Sequence, residues 1–429
     1  MKFVSTRGAG PVSIGEAISA GIAPDGGLFV PSEFPRVSLS EYENLTSLFD
    51  IGSRLLAPFF AGDVELSRAL PGICRSAFDF PTPLASVPGR PRDFILELYH
   101  GPTSAFKDVG ARFLARVMTA KKETALRTVI VATSGDTGGA VAGAFHRLPG
   151  VEVVILFPKG KVSPRQERQL CAWGDNVRAF SVEGDFDDCQ RIVKEALLDR
   201  TNGREWRSAN SINLGRVLPQ MVYYAQASLQ RKRASPATPD AGFVIPSGNL
   251  GNALAALWAK RIGFPIGPVV LALNANRVIA DFLASGVFSP APTRATLANA
   301  MDVGNPSNLE RLRALYPEIS KLREDVRAES VSDDEIRQEI RRSEKEWGQV
   351  LCQHTATAAV VRKRVSADAT LGDRDWVLVS TAHPAKFESV VEPLIGHTVE
   401  VPAALAEILN RPARCVSIRP NYGALRQEL

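Results

Sequence analysis

The sequence predicts an α/β protein whose mainly parallel sheets are covered by helices on both faces. Three observations predict it. Short runs of valine, isoleucine, leucine and alanine alternate with helical patterns along most of the chain, which is how parallel strands and their crossovers read. Three strands end in turns of small residues that open straight into helices: Ser134-Gly-Asp-Thr-Gly138, Ser247-Gly-Asn-Leu-Gly251 and Ser380-Thr-Ala-His-Pro384. The 429 residues, 45% hydrophobic and 23% charged, supply enough apolar side chain for two or three domains.

Taken in order, the first ninety residues mix helical patterns with proline and glycine turns. Phe80-Pro-Thr-Pro83 and Val87-Pro-Gly-Arg-Pro91 read as stiff, extended punctuation before a strand at 94–98. A buried strand at 128–132 runs into the turn 133–139 and a small-residue helix, 140–145. The next strand is 151–157. Ser163 caps the helix after it, with Pro164 at the first position and Gln166-Glu167 in the first turn. A strand at 177–182 precedes a helix at 187–198, and the prolines and charges of 231–242 predict a loop. Strand 243–245, helix 252–262 and strand 269–273 follow. In 332–351, Ile336, Ile340, Trp347 and Leu351 share one helical face, Ser332 caps it, and Asp333-Asp334-Glu335 suit its positive end. That helix is packing. Strand 376–379 then feeds a helix from Pro384 onward.

Charge and cysteine usage exclude several function classes. The 51 Lys+Arg against 46 Asp+Glu leave a scattered excess of +5. Arg231-Lys232-Arg233, Arg341-Arg342 and Arg362-Lys363-Arg364 read as solvated helix ends and loops. With no basic stripe interleaved with aromatics, no nucleic-acid partner is expected. Cys74, Cys171, Cys189, Cys352 and Cys415 are odd in number and far apart. They imply neither a metal site nor a disulfide framework, and they suit a reducing compartment. Residues 1–10 carry no apolar targeting core, and no stretch approaches a membrane helix, so a cytoplasmic protein without a membrane partner is expected. The dinucleotide, phosphate-loop, zinc-protease and serine-hydrolase motifs are all missing. Gly135-Asp-Thr-Gly-Gly139 imitates the nucleophile motif of chymotrypsin-like proteases, but its α/β setting is wrong for one.

In a parallel sheet, strand-to-helix turns lie at the carboxyl ends of strands, where ligands bind. Each helix start offers unpaired N–H groups and partial positive charge, and glycine allows close approach, so each turn can hold an anion. Three such turns point to a ligand with several anionic groups. The segment His100-Gly-Pro-Thr-Ser-Ala-Phe-Lys-Asp-Val-Gly-Ala-Arg112 adds a lysine at a helix start. A helix N-terminus and partial burial both disfavour the ammonium form of Lys107. The neutral amine is what Schiff-base chemistry requires. On residue statistics alone, a surface lysine paired with Asp108 is the commoner explanation.

Residues 100–112 resemble the cofactor-lysine segment of threonine synthases, H-G-P-T-x-A-F-K-D-x-G-A-R. Further blocks are similar in the same order: 4–7, 21–28, 132–138, 156–164, 211–213, 246–252, Met301-Asp-Val-Gly-Asn-Pro-Ser-Asn308 and 380–387. The resemblance spans most of the chain and is to the longer-chain branch of the family. It implies the type II pyridoxal-phosphate fold: two open, parallel or mixed sheets flanked by helices, plus an N-terminal domain. Residues 1–92 would form that domain. Residues 93–120 and 214–429 would form the large cofactor-binding unit, and 121–213 a small unit that closes over the substrate.

The resemblance also implies residue roles. Lys107, next to Phe106, would carry pyridoxal 5'-phosphate covalently and act as the catalytic base. Gly248, Asn249, Leu250, Gly251 and Asn252 would cradle the cofactor phosphate, and Thr381 would meet the pyridine nitrogen. Ser134, Gly135, Asp136 and Thr137 would hold the carboxylate of O-phospho-L-homoserine. His100, Lys159, Lys161 and Arg165 are candidates for its phosphate. The implied activity yields L-threonine and phosphate, from a monomer or homodimer. Leu250 and Val109 stand where phenylalanine is usual, and Leu214-Gly215 where Trp-Ala is common. A related lyase releasing 2-oxobutyrate and a non-catalytic cofactor-binding scaffold are the competing readings. Cysteine synthases and serine or threonine dehydratases share the implied fold, and Asp136 in its turn argues against the first of these.

Overall fold

The computed structural model describes residues 1–120, 126–199, 201 and 203–429. At the N-terminus, Phe3–Ser5 pairs antiparallel with Phe29–Pro31. Helix Ile14–Ala20 starts at a capping box formed by Ser13 and Glu16. Helices Leu48–Phe60 and Val64–Ala77 start at Ser47 and Asp63, each of which accepts a backbone N–H with its side chain.

The boundary expected after residue 92 falls inside a strand. The Pro88-Gly89 turn, with Gly89 at φ +71°, closes a hairpin in which Leu84–Val87 runs antiparallel to Arg90–Glu97. The hairpin forms one edge of a six-stranded sheet. Its order is Val326–Ser330, Ile266–Leu273, Ala241–Pro246, Trp376–Ser380, Arg90–Glu97, Leu84–Val87, with every pair except the last parallel. Its inner strands are continuous apolar runs, such as Phe243, Val244 and Ile245, because helices cover both faces.

A second, all-parallel sheet has five strands in the order Val416–Ile418, Val177–Val182, Val151–Pro158, Arg127–Ala132, Glu205–Ser208. The expected start of the small unit, residue 121, lies outside the described residues. The C-terminal tail, which the sequence reading placed in the large unit, adds the edge strand Val416–Ile418 to this sheet.

Two basic clusters are only partly solvated: Arg233 is exposed and Lys232, Lys363 and Arg364 are half-buried, while Arg231 and Arg362 are built into the fold. Helix Met221–Ala234 runs through Arg231-Lys232-Arg233, so the loop expected from 231 begins only after Ala234. Cations suit that helix end. Arg231 pairs with Asp375 at 2.6 Å and lies over the Phe94 ring at 3.8 Å. Arg362 pairs with Asp93 at 2.6 Å beside Trp376. Asp375 immediately precedes strand Trp376–Ser380 and Asp93 pairs with Trp376 at the start of the ladder between their strands, so these pairs pin the sheet at the end opposite the ligand turns. Arg341 and Arg342 are exposed, as expected. Helix Asp333–Trp347 starts at the Ser332–Glu335 capping box and ends at Gly348, leaving Leu351 beyond it. Pro384 opens a 3-10 turn, Pro384–Phe387, before helix Glu388–Ile395. All five cysteines are free thiols. Among the described residues there is no metal-ligating cluster, and no helix is long and apolar enough to cross a membrane.

Candidate active site

Lys107 is the first residue of helix Lys107–Ala120, which follows strand Arg90–Glu97. The loop between them zips onto the neighbouring strand's exit. The Phe106 N–H donates to the Thr381 carbonyl at 2.8 Å, and the His383 N–H donates to Ser104 at 3.1 Å. This short antiparallel bridge places Lys107 beside Thr381, although 274 positions separate them in sequence (381 − 107). Ser104 sits at φ +55°, a strained conformation of about 1–3 kcal/mol of the kind stored at functional sites.

Lys107 is partly accessible but closely surrounded. Burial pushes its ammonium down to about 8, against the pull of Asp136; Lys386 and Arg216 push in the same direction as burial. Asp108 is not its partner, since the Asp108 carboxylate accepts from the Thr103 N–H at 2.8 Å and the Thr103 hydroxyl at 2.6 Å. The Lys107 amine lies over the Phe106 ring, 5.5 Å from its centre.

The turn 247–251 carries the marks of an anion cradle. A Cβ on Gly248 would come within 2.7 Å of the Met301 backbone, so only glycine fits. Leu250 adopts φ +62° at the helix cap, which costs a non-glycine residue about 1–2 kcal/mol. Asn252 is buried, and its Oδ1 accepts from Tyr223 (2.5 Å) and Tyr224 (2.8 Å). Its Nδ2, like the Ser104 hydroxyl, is buried without a hydrogen-bond partner. Donors are seldom left so, and these two fit a bound ligand with acceptor oxygens. The residues present therefore suit a phosphate-bearing cofactor.

Two motif blocks to which sequence assigned no role hold this turn. The Asn249 side chain donates to Ser211 Oγ at 2.8 Å and accepts from the Ser307 N–H at 2.6 Å, while Asn308 Nδ2 donates to the Asn249 carbonyl at 3.0 Å. Fully buried Arg311 donates to Asn308 and to the carbonyls of Phe29, Ser211 and Ile212 at 2.6–3.1 Å. Burial lowers its pKa to about 9, so it stays charged at neutral pH. Arg311→Ala would orphan four acceptors, two of them fully buried. A destabilisation of about 3 kcal/mol or more is expected, read as a lower thermal midpoint with weaker cofactor retention. A midpoint equal to the parent's would show that the network does not support the turn.

The turn 134–138 opens helix Asp136–Phe145. Thr133 Oγ1 accepts from the N–H groups of Gly135 (2.9 Å) and Gly138 (2.8 Å). Ser134, Asp136 and Thr137 are left as the N–H groups that can receive a carboxylate. Gly135 holds φ +126°, and a Cβ there would strike Gln166. The Asp136 carboxylate is itself committed: it accepts from Gln166 at 3.0 Å and pairs with Lys386 at 2.9 Å. Burial acts to raise its pKa, yet Lys386 and then Lys107 hold it well below the usual carboxylate range.

Lys386 and His354 are site groups that the sequence reading assigned no role. Lys386 stood inside the 380–387 block, and its only signal was a lysine set between Ala385 and Phe387. It is 1% exposed, and its amine also donates to the Thr103 carbonyl at 2.8 Å. His354 starts the buried face of helix Gln353–Val365 and accepts from the Ala300 N–H at 3.2 Å, next to Met301 beneath Gly248. Burial pushes it down to about 4, although Asp136 opposes this. Folding thus excludes a proton that the unfolded chain binds below about 6.5, so stability falls as pH drops from about 6.5 toward 4. His383 is pushed to about 4 by burial and acts in the same sense. His354→Gln is expected to flatten the dependence of the thermal midpoint on pH in that window. An unaltered slope would place the effect elsewhere.

The four residues considered for the substrate phosphate are not gathered. His100 is at the surface beside Glu97, 2.7 Å away. Exposed Lys159 bonds Glu183 at 3.2 Å and Ser417 at 3.1 Å, and Lys161 is exposed. Arg165 is tied to the chain beside Lys386. It donates to the Ala385 carbonyl at 2.7 Å, next to Lys386, and faces Glu388 and Glu392.

Three family models match the chain: pyridoxal-phosphate dependent enzyme over residues 76–382, threonine synthase N terminus over 2–78, and threonine synthase, C-terminal, over 355–428. The threonine synthase of Escherichia coli (strain K12) is 39% identical over 97% of this chain and 96% of its own. A crystal structure of the Escherichia coli threonine synthase superposes with a TM-score of 0.90, 36% identity and coverage of 100% and 99% of the two chains. The PLP-bound threonine synthase of Brucella melitensis gives 0.89 and 33%, covering 100% and 98%. The fold, the lysine-bearing loop and the full-length likeness agree, and the chain belongs to the threonine synthase family of pyridoxal-phosphate-dependent enzymes.

Proposed function

We propose that the protein converts O-phospho-L-homoserine and water to L-threonine and phosphate, with Lys107 as the residue that holds the cofactor and handles the substrate's α-proton. The observation that carries this reading is the Lys107 amine. It is desolvated to about 8, bridged by its loop to the Thr381 strand exit, and faced by the turn that carries Asp136. Pyridoxal phosphate, when bound, supplies a conjugated ring that takes up the negative charge left as protons depart from substrate carbons.

The chain's own residues do the rest. The backbone of Gly248, Asn249, Leu250 and Asn252, with Asn252 Nδ2, would receive the cofactor phosphate, and Thr381 would offer its hydroxyl to the pyridine nitrogen. A hydroxyl is neutral and does not force protonation there. The N–H groups of Ser134, Asp136 and Thr137 would orient the substrate carboxylate, which fixes the α-hydrogen toward Lys107. With a pKa near 8, the amine is a base matched to neutral pH, able to take that proton and return it to the same carbon. Arg165, which borders Lys386, is the favoured cation for the substrate phosphate among the four considered. The protein is read as a cytoplasmic monomer or homodimer acting on a small molecule.

Proton NMR of products from cofactor-loaded protein given O-phospho-L-homoserine tests the reading. L-Threonine should appear in step with phosphate. 2-Oxobutyrate without threonine would move the reaction to phosphate elimination on the same site.

A further inference from the structure

We propose that Lys386 is a positioning residue that holds the Asp136 carboxylate away from Lys107, leaving the reactive amine without an anionic partner. The inference rests on the reading of Lys107 as the cofactor lysine. Its basis is geometric. Asp136 stands at the start of helix Asp136–Phe145 and faces two lysines from different strand exits, Lys107 and the buried Lys386. Of the two lysines, it is Lys386 that it bonds, at 2.9 Å.

That choice is enforced on both sides. The Thr103 carbonyl takes a second Lys386 proton at 2.8 Å, and Ser163 Oγ donates to the Lys386 carbonyl at 2.7 Å, which fixes the lysine's backbone. Gln166 holds the same Asp136 oxygen at 3.0 Å, and its helix is capped by that same Ser163. The carboxylate is therefore gripped by two donors on the side of Lys386. Four charged or titratable groups face Lys107: Asp136, Lys386, Arg216 and His354. His354 is neutral and Arg216 repels an ammonium, so among these described groups Asp136 is the one able to keep Lys107 charged. A lysine locked in an ion pair is a poor nucleophile for a carbonyl carbon, because its lone pair carries the proton. Lys386 takes up the carboxylate and so preserves the lone pair.

The experiment is the rate of covalent capture of pyridoxal phosphate by the cofactor-stripped, full-length chain as a function of pH, fixed by borohydride reduction and located by peptide mapping. In the parent, the label should map to Lys107. In Lys386→Met, the freed Asp136 should pair with Lys107. The midpoint should then rise by a unit or more, and capture at pH 7 should slow at least about tenfold, as a one-unit shift implies. Asp136→Asn in the Lys386→Met background should restore the parent midpoint, and Lys386→Arg should retain it. A merely structural role would not be rescued by removing the carboxylate. Loss of one member of a buried pair can unfold a protein. Asp136→Asn alone therefore gives a second reading, with an expected midpoint at or below the parent's. An unchanged midpoint in folded Lys386→Met, a shift that persists in the double variant, or a raised midpoint in Asp136→Asn would overturn the proposal. Label on another lysine in the parent would overturn the Lys107 reading instead.

Discussion

Lys107→Ala is expected to abolish threonine formation, by at least about a thousandfold, while leaving the fold intact. General-base removal alone is worth about 10²–10⁴, and loss of the covalent anchor compounds it. The fold should tolerate the change, because the Lys107 amine rests over the Phe106 ring and burial already disfavours its charge. Borohydride should then fix no cofactor in the chain, and the thermal midpoint should remain close to the parent's. Parent-like turnover in this variant would remove Lys107 from the mechanism. Lost activity together with a collapsed midpoint would show a structural role instead.

Asn252→Asp should weaken cofactor binding about a hundredfold, since like charges brought together cost several kcal/mol and each 1.4 kcal/mol is tenfold. The substitution is nearly isosteric. Tyr223 and Tyr224 both donate to Oδ1 and would hold an aspartate in its charged form. The orphaned Nδ2, placed to donate, would become an oxygen that repels phosphate. Equilibrium dialysis of pyridoxal phosphate against parent and variant measures this. Equal affinity would mean that the phosphate lies elsewhere.

Much of the fold was legible because its signals are local. Ser163, Pro164 and Gln166 mark a helix start whose backbone needs are met within four residues, and the capping box forms there. The runs at 177–182 and 151–157 read as buried strands because a strand covered on both faces has no polar side to show. The lysine loop and the two glycine turns were legible for the same reason, since glycine and small residues answer to the backbone's own geometry. The loop expected from 231 failed in its first residues. Three basic residues beside a proline-rich stretch look solvated, yet Arg231 is bound by Asp375, 144 positions away.

Sequence by itself determined most of the elements and the three strand-to-helix turns, and it put forward Lys107 as the reactive lysine. Only the tertiary structure decided which buried charges meet. Lys159 and Lys386 are the same residue type in similar company, yet one lies at the surface against Glu183 and the other in the interior against Asp136. Arg311 is held by carbonyls of Phe29, Ser211 and Ile212. A backbone carbonyl has no identity in a sequence, so such partnerships are invisible until the chain has folded. The tail strand Val416–Ile418 is three residues long and partly exposed, and nothing local selects its sheet. The free edge of Val177–Val182, reached only after the chain has crossed back, selects it through main-chain hydrogen bonds that any sequence can make.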